Sequence, residues 1–254
     1  MTSPILLTGG TGTLGRHAVP MLRDAGYEVR ILSRGSHEST HGVHYVTGDL
    51  LANDGVEAAV DGAETVLHLA GGPKGDDVAT RNLVDAAARA GVQHLVYISV
   101  IGADRVPVGW VRSKYAAEQA VAESGVPWTT LRAAQFHDLM LALVQKMSKL
   151  PVVPAPGGLR FEPVDSAEVA RRLVELTQQP AAGLAPDLAG PTVYTLADLN
   201  RSYLQACGKR RPMLPVRIPG KAGRAYRSGA NLARAEATRG TRTWEEFLAG
   251  ALAQ

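Results

Sequence analysis

The first 135 residues alternate short apolar runs with longer segments in which apolar positions recur at helical spacing. Residues 5–7, 28–32, 43–47, 65–69, 94–99 and 128–132 are short, apolar and rich in β-branched side chains, as strands are. Leu14, Ala18, Val19 and Leu22 mark a helix ending at Ala25 and Gly26, where glycine suits the left-handed residue past a helix end. Further helices are expected over about 76–90, stopping at Gly91, and about 111–123, stopping at Ser124 and Gly125. Strands joined by helices need crossover connections, so the pattern predicts an α/β fold with a doubly wound parallel sheet covered on both faces. Pro20 works against a smooth first helix, because it removes a backbone donor and is expected to kink it.

Beyond Gln135 the pattern loosens. A helix is expected over about 137–150, then a breaker-rich stretch at 151–158, with short strands near 161–164 and 192–194. Helices follow at about 166–178, 196–206 and 243–253. The expectation is a core over 1–135, with 136–254 adding the last sheet elements and a small C-terminal lobe over the sheet's carboxyl edge, in one structural unit. No internal repeat or low-complexity tract is visible.

Composition narrows the class. With 45% hydrophobic and 20% charged residues, the 254-residue chain can bury a sizeable core and is not of disordered type. Its single cysteine, Cys207, excludes an internal disulfide framework and cannot build a zinc site alone, which suits a reducing, cytoplasmic setting. No basic leader before a long apolar run is seen, so neither secretion nor a membrane partner is expected. The formal net charge of +3 conceals an asymmetry: residues 200–243 hold eleven Lys and Arg against Glu236 alone, leaving −7 on the remainder. With no zinc-finger spacing and few aromatics, this block reads as a solvated face and not as a nucleic-acid surface. The faces of the long helices leave a homodimer open.

The strongest chemical signal is Thr8-Gly-Gly-Thr-Gly-Thr-Leu-Gly15, set between the first strand and the first helix. Glycines at 9, 10, 12 and 15 permit a tight turn, close approach of backbone to a pyrophosphate, and packing of helix on sheet. Gly9, Thr11, Gly12, Thr13, Leu14 and Gly15 are therefore candidate dinucleotide-binding residues, with the helix N-terminus facing the phosphates. The second strand ends Leu32-Ser33-Arg34, without the acid that would bind both ribose hydroxyls; Ser33 and Arg34 argue for the 2'-phosphate of NADP(H). Asp49, beside Leu50 after the third strand, either meets the adenine amino group or caps the next helix. Ala70 and Gly71 after the fourth strand form a small-residue loop where the nicotinamide ribose could pass.

Together with the segments at 97–102, 131–137 and 243–248, these motifs make the chain resemble an atypical short-chain dehydrogenase/reductase, more narrowly the NmrA-like NAD(P)H-binding proteins. The resemblance spans nearly the whole chain. It implies a Rossmann-type domain binding NADP(H), a substrate-binding lobe, and members ranging from quinone reductases to redox-sensing regulators. Where the larger family carries Tyr-x-x-x-Lys, this chain has Trp110 four residues before Lys114. Indole has no useful proton to exchange near neutral pH, and Tyr115 points about 100° away from Lys114 on a helix. Lys114 is thus the candidate for orienting the ribose and relaying a proton. Ser99, ending the fifth strand, and His137, after the sixth, complete the candidate catalytic set, with Trp110, Gln135, Phe136 and His137 lining a substrate pocket. His68, inside an apolar strand, reads as a hydrogen-bonded core residue, and the loosely spaced His37, His41 and His44 do not suggest a metal site. The sequence therefore predicts an NADPH-dependent reductase of a small carbonyl, quinone or imine, with a catalytically weak NADP(H) sensor that binds a protein partner as the alternative.

Overall fold

In a computed structural model, which describes residues 4–72 and 74–253, the chain runs β1 (Ile5–Thr8), α1 (Gly15–Asp24), β2 (Val29–Ser33), β3 (Val43–Thr47), α2 (Val56–Val60), β4 (Thr65–His68), α3 (Asp76–Arg89), β5 (His94–Val100), α4 (Gly109–Glu123) and β6 (Trp128–Ala133). It continues through α5 (His137–Met147), β7 (Val153–Pro156), β8 (Arg160–Phe161), α6 (Ser166–Thr177), β9 (Gly183–Leu184), β10 (Leu188–Ala189), β11 (Tyr194–Thr195), α7 (Leu196–Ala206), β12 (Met213–Val216), α8 (Gly220–Ser228), β13 (Thr238–Arg239) and α9 (Trp244–Leu252). Every strand and helix expected before Gln135 is present within a few residues of its expected ends. Helix α1 continues through Pro20, and Gly26 beyond it sits at φ 86°.

The residues form two compact units. The first comprises the chain up to Ser99, Arg112–Leu131 and Val169–Ala185; the second comprises Val100–Val111, Arg132–Glu168 and the chain from Pro186 on. In the first unit the strand order is β3-β2-β1-β4-β5-β6, with β9 beside β6, and the registered pairs are parallel. This is the doubly wound Rossmann order. All seven residues of β5 are buried, which explains why His94–Val100 reads as a continuous apolar run and not an alternating one. Leu83, Val84 and Ala87 of α3 pack with Leu6, Val66, Leu95 and Tyr97 of the sheet in one core cluster.

In the second unit Leu188 of β10 pairs with Ala133 at the end of β6, and β10 pairs in turn with β13. Two short ladders, β8 with β11 and β7 with β12, stand apart from that sheet. Helices α5, α7 and α9 share a core of Met140, Val144, Leu199, Tyr203, Trp244 and Phe247. Thr195 and Thr243 begin α7 and α9 with full capping boxes, closed by Asp198 and Glu246. Asp165 ties this unit together: Oδ1 accepts the Ala167 and Glu168 N–H groups at 2.8 and 3.3 Å, and Oδ2 accepts Arg242 Nη1 at 2.7 Å.

Burial alone would raise the Asp165 pKa, yet Arg242 and the two amides hold it below the ordinary carboxylate range. A depressed folded-state pKa gives stability that is full above the unfolded value and is lost as pH falls through the folded one. Asp165→Ala is accordingly expected to cost about 2–3 kcal/mol at neutral pH, from one cap and one charge pair. Denaturant midpoints for both proteins should converge on acidification; a gap that is unchanged in acid would show that the carboxylate charge is not its source.

Candidate functional site

The strand order reverses between β1 and β4, which are neighbours although their following connections leave in opposite directions. Loops after such strands diverge and open a crevice at the sheet's carboxyl edge. Here the crevice is a cleft of ≈ 640 Å³, walled by Gly9, Thr11 and Gly12 after β1 and by Leu69–Gly72 after β4. Ser33, Arg34, Gly35 and His37 close one end after β2, Asp49 and Leu50 contribute after β3, and Lys74 and Asp76 lie at the start of α3. The size is that of a small-molecule or cofactor site.

Glycine is required in the loop after β1 for reasons visible in the packing. Gly9 has φ 73°, and a Cβ there would lie 2.7 Å from the Ala70 nitrogen, so the two cleft walls touch backbone to backbone. A Cβ on Gly15 would lie 2.4 Å from the Gly10 carbonyl. The helix that follows begins at Leu14 without a side-chain cap and without an acid in its first turn, in contrast to α7 and α9. Its leading amides are suited to an anion.

A buried hydrogen-bond chain braces the opposite wall. The Ala70 N–H donates to Thr8 Oγ1 at 3.2 Å, Thr8 Oγ1 lies 2.7 Å from His68 Nδ1, and His68 Nε2 lies 3.0 Å from Thr80 Oγ1. The Thr8 and Thr80 hydroxyls can each give or take a proton, so a neutral imidazole donates from one ring nitrogen and accepts at the other in either tautomer. That arrangement needs neutral histidine. Burial, helped by the Lys114 charge, pushes the His68 pKa down to about 3, so the strut keeps one protonation state. His68 is the core residue its strand context implies.

Lys114 reaches the same wall from α4. Its ammonium donates to Asp76 Oδ2 at 3.1 Å, to the Tyr97 hydroxyl at 3.3 Å and to the Ile98 carbonyl at 3.5 Å. Three acceptors match three ammonium protons. Burial disfavours the Lys114 charge, but Tyr97 and Asp76 outweigh it and hold the pKa above the ordinary lysine value. Asp76 also accepts the Gly72 N–H at 2.6 Å through Oδ1, so one carboxylate fixes both the ammonium and the Gly71–Gly72 loop. Tyr97 is wholly buried and burial raises its pKa, which keeps the phenol neutral. Two residues along β5, and hence on the same sheet face, Ser99 Oγ is buried without a hydrogen-bond partner among the described residues. At the far end of the cleft Arg34 makes no hydrogen bond or ion pair with any described residue, and Asp49 Oδ1 accepts the Leu51 N–H at 2.8 Å.

The sequence profile of the NAD(P)H-binding family matches residues 9–180. The chain belongs to the NAD(P)H-binding family. It is similar to a (4-alkanoyl-5-oxo-2,5-dihydrofuran-3-yl)methyl phosphate reductase of Streptomyces griseus, 32% identical over 214 residues, 81% of this chain and 74% of that one. An NAD(P)H azoreductase of Xenophilus azovorans is 28% identical over 224 residues, 84% of this chain and 77% of that one. Among solved structures, an NADPH-dependent quinone oxidoreductase of Escherichia coli complexed with NADPH has the same fold, with a TM-score of 0.84 at 20% identity, covering 98% of this chain and 99% of that one.

The cleft fits NADP(H). Gly9, Gly12 and Gly15 form a cradle that side chains would fill, the uncapped α1 start faces phosphate-binding chemistry, unpartnered Arg34 suits a 2'-phosphate, and the Ser99 hydroxyl is an orphan polar atom. Among the residues singled out in the sequence, Gly9, Thr11, Gly12, Ser33, Arg34, Asp49, Leu50, Ala70 and Gly71 line it. Thr13, Leu14 and Gly15 form the entry to α1 behind it, and Lys114 joins it through Asp76 and Gly71. Asp49 does not cap α2, whose N-cap is Gly55.

Trp110, Gln135, Phe136 and His137 belong to the second unit. Trp110 is 37% exposed in the first turn of α4, and Phe136 precedes α5. His137 is fully buried against Trp244 and Phe247, with ring centroids 5.9 and 5.0 Å away, and neither ring nitrogen has a hydrogen-bond partner among the described residues. Burial, joined by the Arg242 charge, lowers its pKa despite the pull of Asp165 and Asp138 toward the charged form. His44 pairs with Glu28 at 3.2 Å, and His37 turns back onto Ser33.

Sequence reasoning missed Asp76 and Tyr97 as partners of Lys114. Asp76 was visible as an acid at the first position of a helix after a Gly-Gly loop, but helix starts attract acids for their dipole alone. Tyr97 lay inside a β-branched run that reads as core.

Proposed function

We propose that this protein is an NADPH-dependent reductase of the atypical short-chain, NmrA-like type, acting on a small conjugated acceptor such as a quinone or an activated carbonyl. The observation that carries the reading is the Lys114 ammonium, charged, three-fold hydrogen-bonded and held at the cleft wall, with Ser99 Oγ of strand β5 unpartnered among the described residues. When bound, the reduced nicotinamide supplies a hydride. In this chain the glycine loop holds the pyrophosphate, Arg34 and Ser33 hold the 2'-phosphate, and Ser99 Oγ and Lys114 orient the nicotinamide ribose. The Lys114 charge favours the oxyanion that develops as the acceptor takes up the hydride, and a proton from water completes the two-electron reduction. Trp110 takes the sequence position of the larger family's tyrosine and has no proton to give, so the fixed charge of Lys114 is what this reading relies on. The similar reductases named above act on a dihydrofuranone phosphate, an azo compound and a quinone, which are electron-poor conjugated acceptors and agree with this chemistry.

The test is oxidation of NADPH by purified protein across a panel of quinones, enones and carbonyls. Substrate-dependent loss of nicotinamide absorbance with at least one of them is expected, and none across the panel would overturn the reading. Arg34→Ser is expected to weaken NADPH binding about 10–100-fold while leaving NADH nearly unchanged, the size of a lost charged hydrogen bond to phosphate. Calorimetric titration of both cofactors checks this; equal losses for NADPH and NADH would place Arg34 away from the 2'-phosphate.

A further inference from the structure

Arg34 is not the sole polar group at its end of the cleft. His37 Nε2 lies 3.1 Å from Ser33 Oγ, the same oxygen that accepts the Gly35 N–H at 3.3 Å. A Cβ on Gly35 would come 3.3 Å from His37 Nε2, so the exposed ring is folded back across the turn. Its other side rests on Tyr45 of β3, with ring centroids 4.8 Å apart and planes tilted by 35°. Ser33, Arg34, Gly35 and His37 thus form one lip of the cleft.

We propose that His37 is a protonation-dependent second ligand for the ribose 2'-phosphate, so that discrimination between NADP(H) and NAD(H) depends on pH. The proposal rests on the cofactor assignment above and adds a residue to it. A neutral imidazole gains little from a phosphate over a ribose hydroxyl; an imidazolium adds a second cation beside the guanidinium. Histidine is the side chain whose charge ordinarily changes between about pH 5 and 8. The groups facing His37 are Ser33 and Arg34 at the end of β2 and the Tyr45 ring on β3, with Glu38 next in its own segment. Lys74 and Asp49 line the same cleft as charges of opposite sign, with Asp49 Oδ1 accepting the Leu51 N–H. A bound 2'-phosphate therefore favours the protonated ring, and by linkage acid favours the phosphate-bearing cofactor.

The phosphate opposes this trend, because its own second ionisation near pH 6 makes it a weaker anion in acid. The comparison must therefore be made against a variant that keeps Arg34 and lacks the titrating ring. Calorimetric titrations with NADP+ and NAD+, the acid-stable oxidised forms, are made at about pH 8 and about pH 5.5 on the wild type, His37→Gln and His37→Lys. The NADP+ to NAD+ affinity ratio should rise about tenfold more on acidification in the wild type than in His37→Gln, the equivalent of about one pKa unit on binding. His37→Lys, with a permanent charge, should keep the higher ratio at both pH values relative to His37→Gln. An identical pH response in wild type and His37→Gln, with NADP+ still preferred, would overturn the role of His37 alone. No preference for NADP+ in any protein at either pH would overturn it together with the assignment of Arg34.

Discussion

Lys114→Met is expected to do two separable kinds of damage. The Lys114 and Asp76 side chains are 14% and 7% exposed, so removing the ammonium leaves a carboxylate buried without its cation. Breaking one side of such a pair typically costs about 3–5 kcal/mol, most of it the penalty of the stranded charge. The carboxylate retains the Gly72 N–H at 2.6 Å, which places this case toward the lower end. Turnover should fall on the order of 10²-fold or more, the scale of a lost oxyanion-stabilising group. The double variant Asp76→Asn, Lys114→Met separates the two effects: stability should largely return, because the stranded charge is gone, while turnover should not. Denaturant midpoints and single-turnover rates read the two quantities independently. If Lys114→Met were as stable as the wild type, Asp76 would not be a buried anion; if it turned over normally, the proposed chemistry would lose its central residue.

That pair also shows how far the sequence could be read. The glycine loop and Arg34 were legible because each is a local rule: a turn, a helix entry and a strand end fix residue types within a few positions. Helix α7 lies at its expected ends; in the structure Thr195 and Asp198 form its capping box, and Leu196, Leu199, Tyr203 and Leu204 its buried face. Lys114 was legible as a candidate, but its environment was not, since Asp76, Tyr97 and Ile98 come from other elements and meet it through the sheet's topology alone.

The breaker-rich stretch after α5 shows a different limit. Four of its residues form strand β7, although two are prolines. Val153 and Gly157 donate to Pro212 and Val216 of the β12 segment, whereas Pro154 and Pro156 fall at alternate positions, where no donor toward β12 is needed. Proline counts against a strand on average; its register decides the individual case. Short pieces such as β9, β10 and β13 have two residues each and no pattern of their own.

A second large effect is expected from a single methyl group. In Gly15→Ala the new Cβ would sit 2.4 Å from the Gly10 carbonyl carbon and oxygen and from the Gly9 oxygen. All three are backbone atoms, so no side chain can swing aside; the loop after β1 must move away from α1. Overpacking of this kind costs about 1–3 kcal/mol. The larger consequence falls on binding, because that loop and the leading amides of α1 are the parts meant to converge on the pyrophosphate. A displacement near 1 Å in a positioned site costs on the order of 10²-fold, and the NADPH affinity should fall by about that much. Gly26→Ala, at the other end of the same helix, is the control: φ is 86° but a Cβ there meets nothing within 4 Å. Its strain should cost about 1 kcal/mol, comparable to the lower end for Gly15, with NADPH affinity unchanged. Two alanines of similar cost to folding should therefore differ about a hundredfold in cofactor binding. Similar binding by both would mean that the loop after β1 does not hold the pyrophosphate, and the Arg34, Lys114 and His37 assignments that depend on that placement would fall with it.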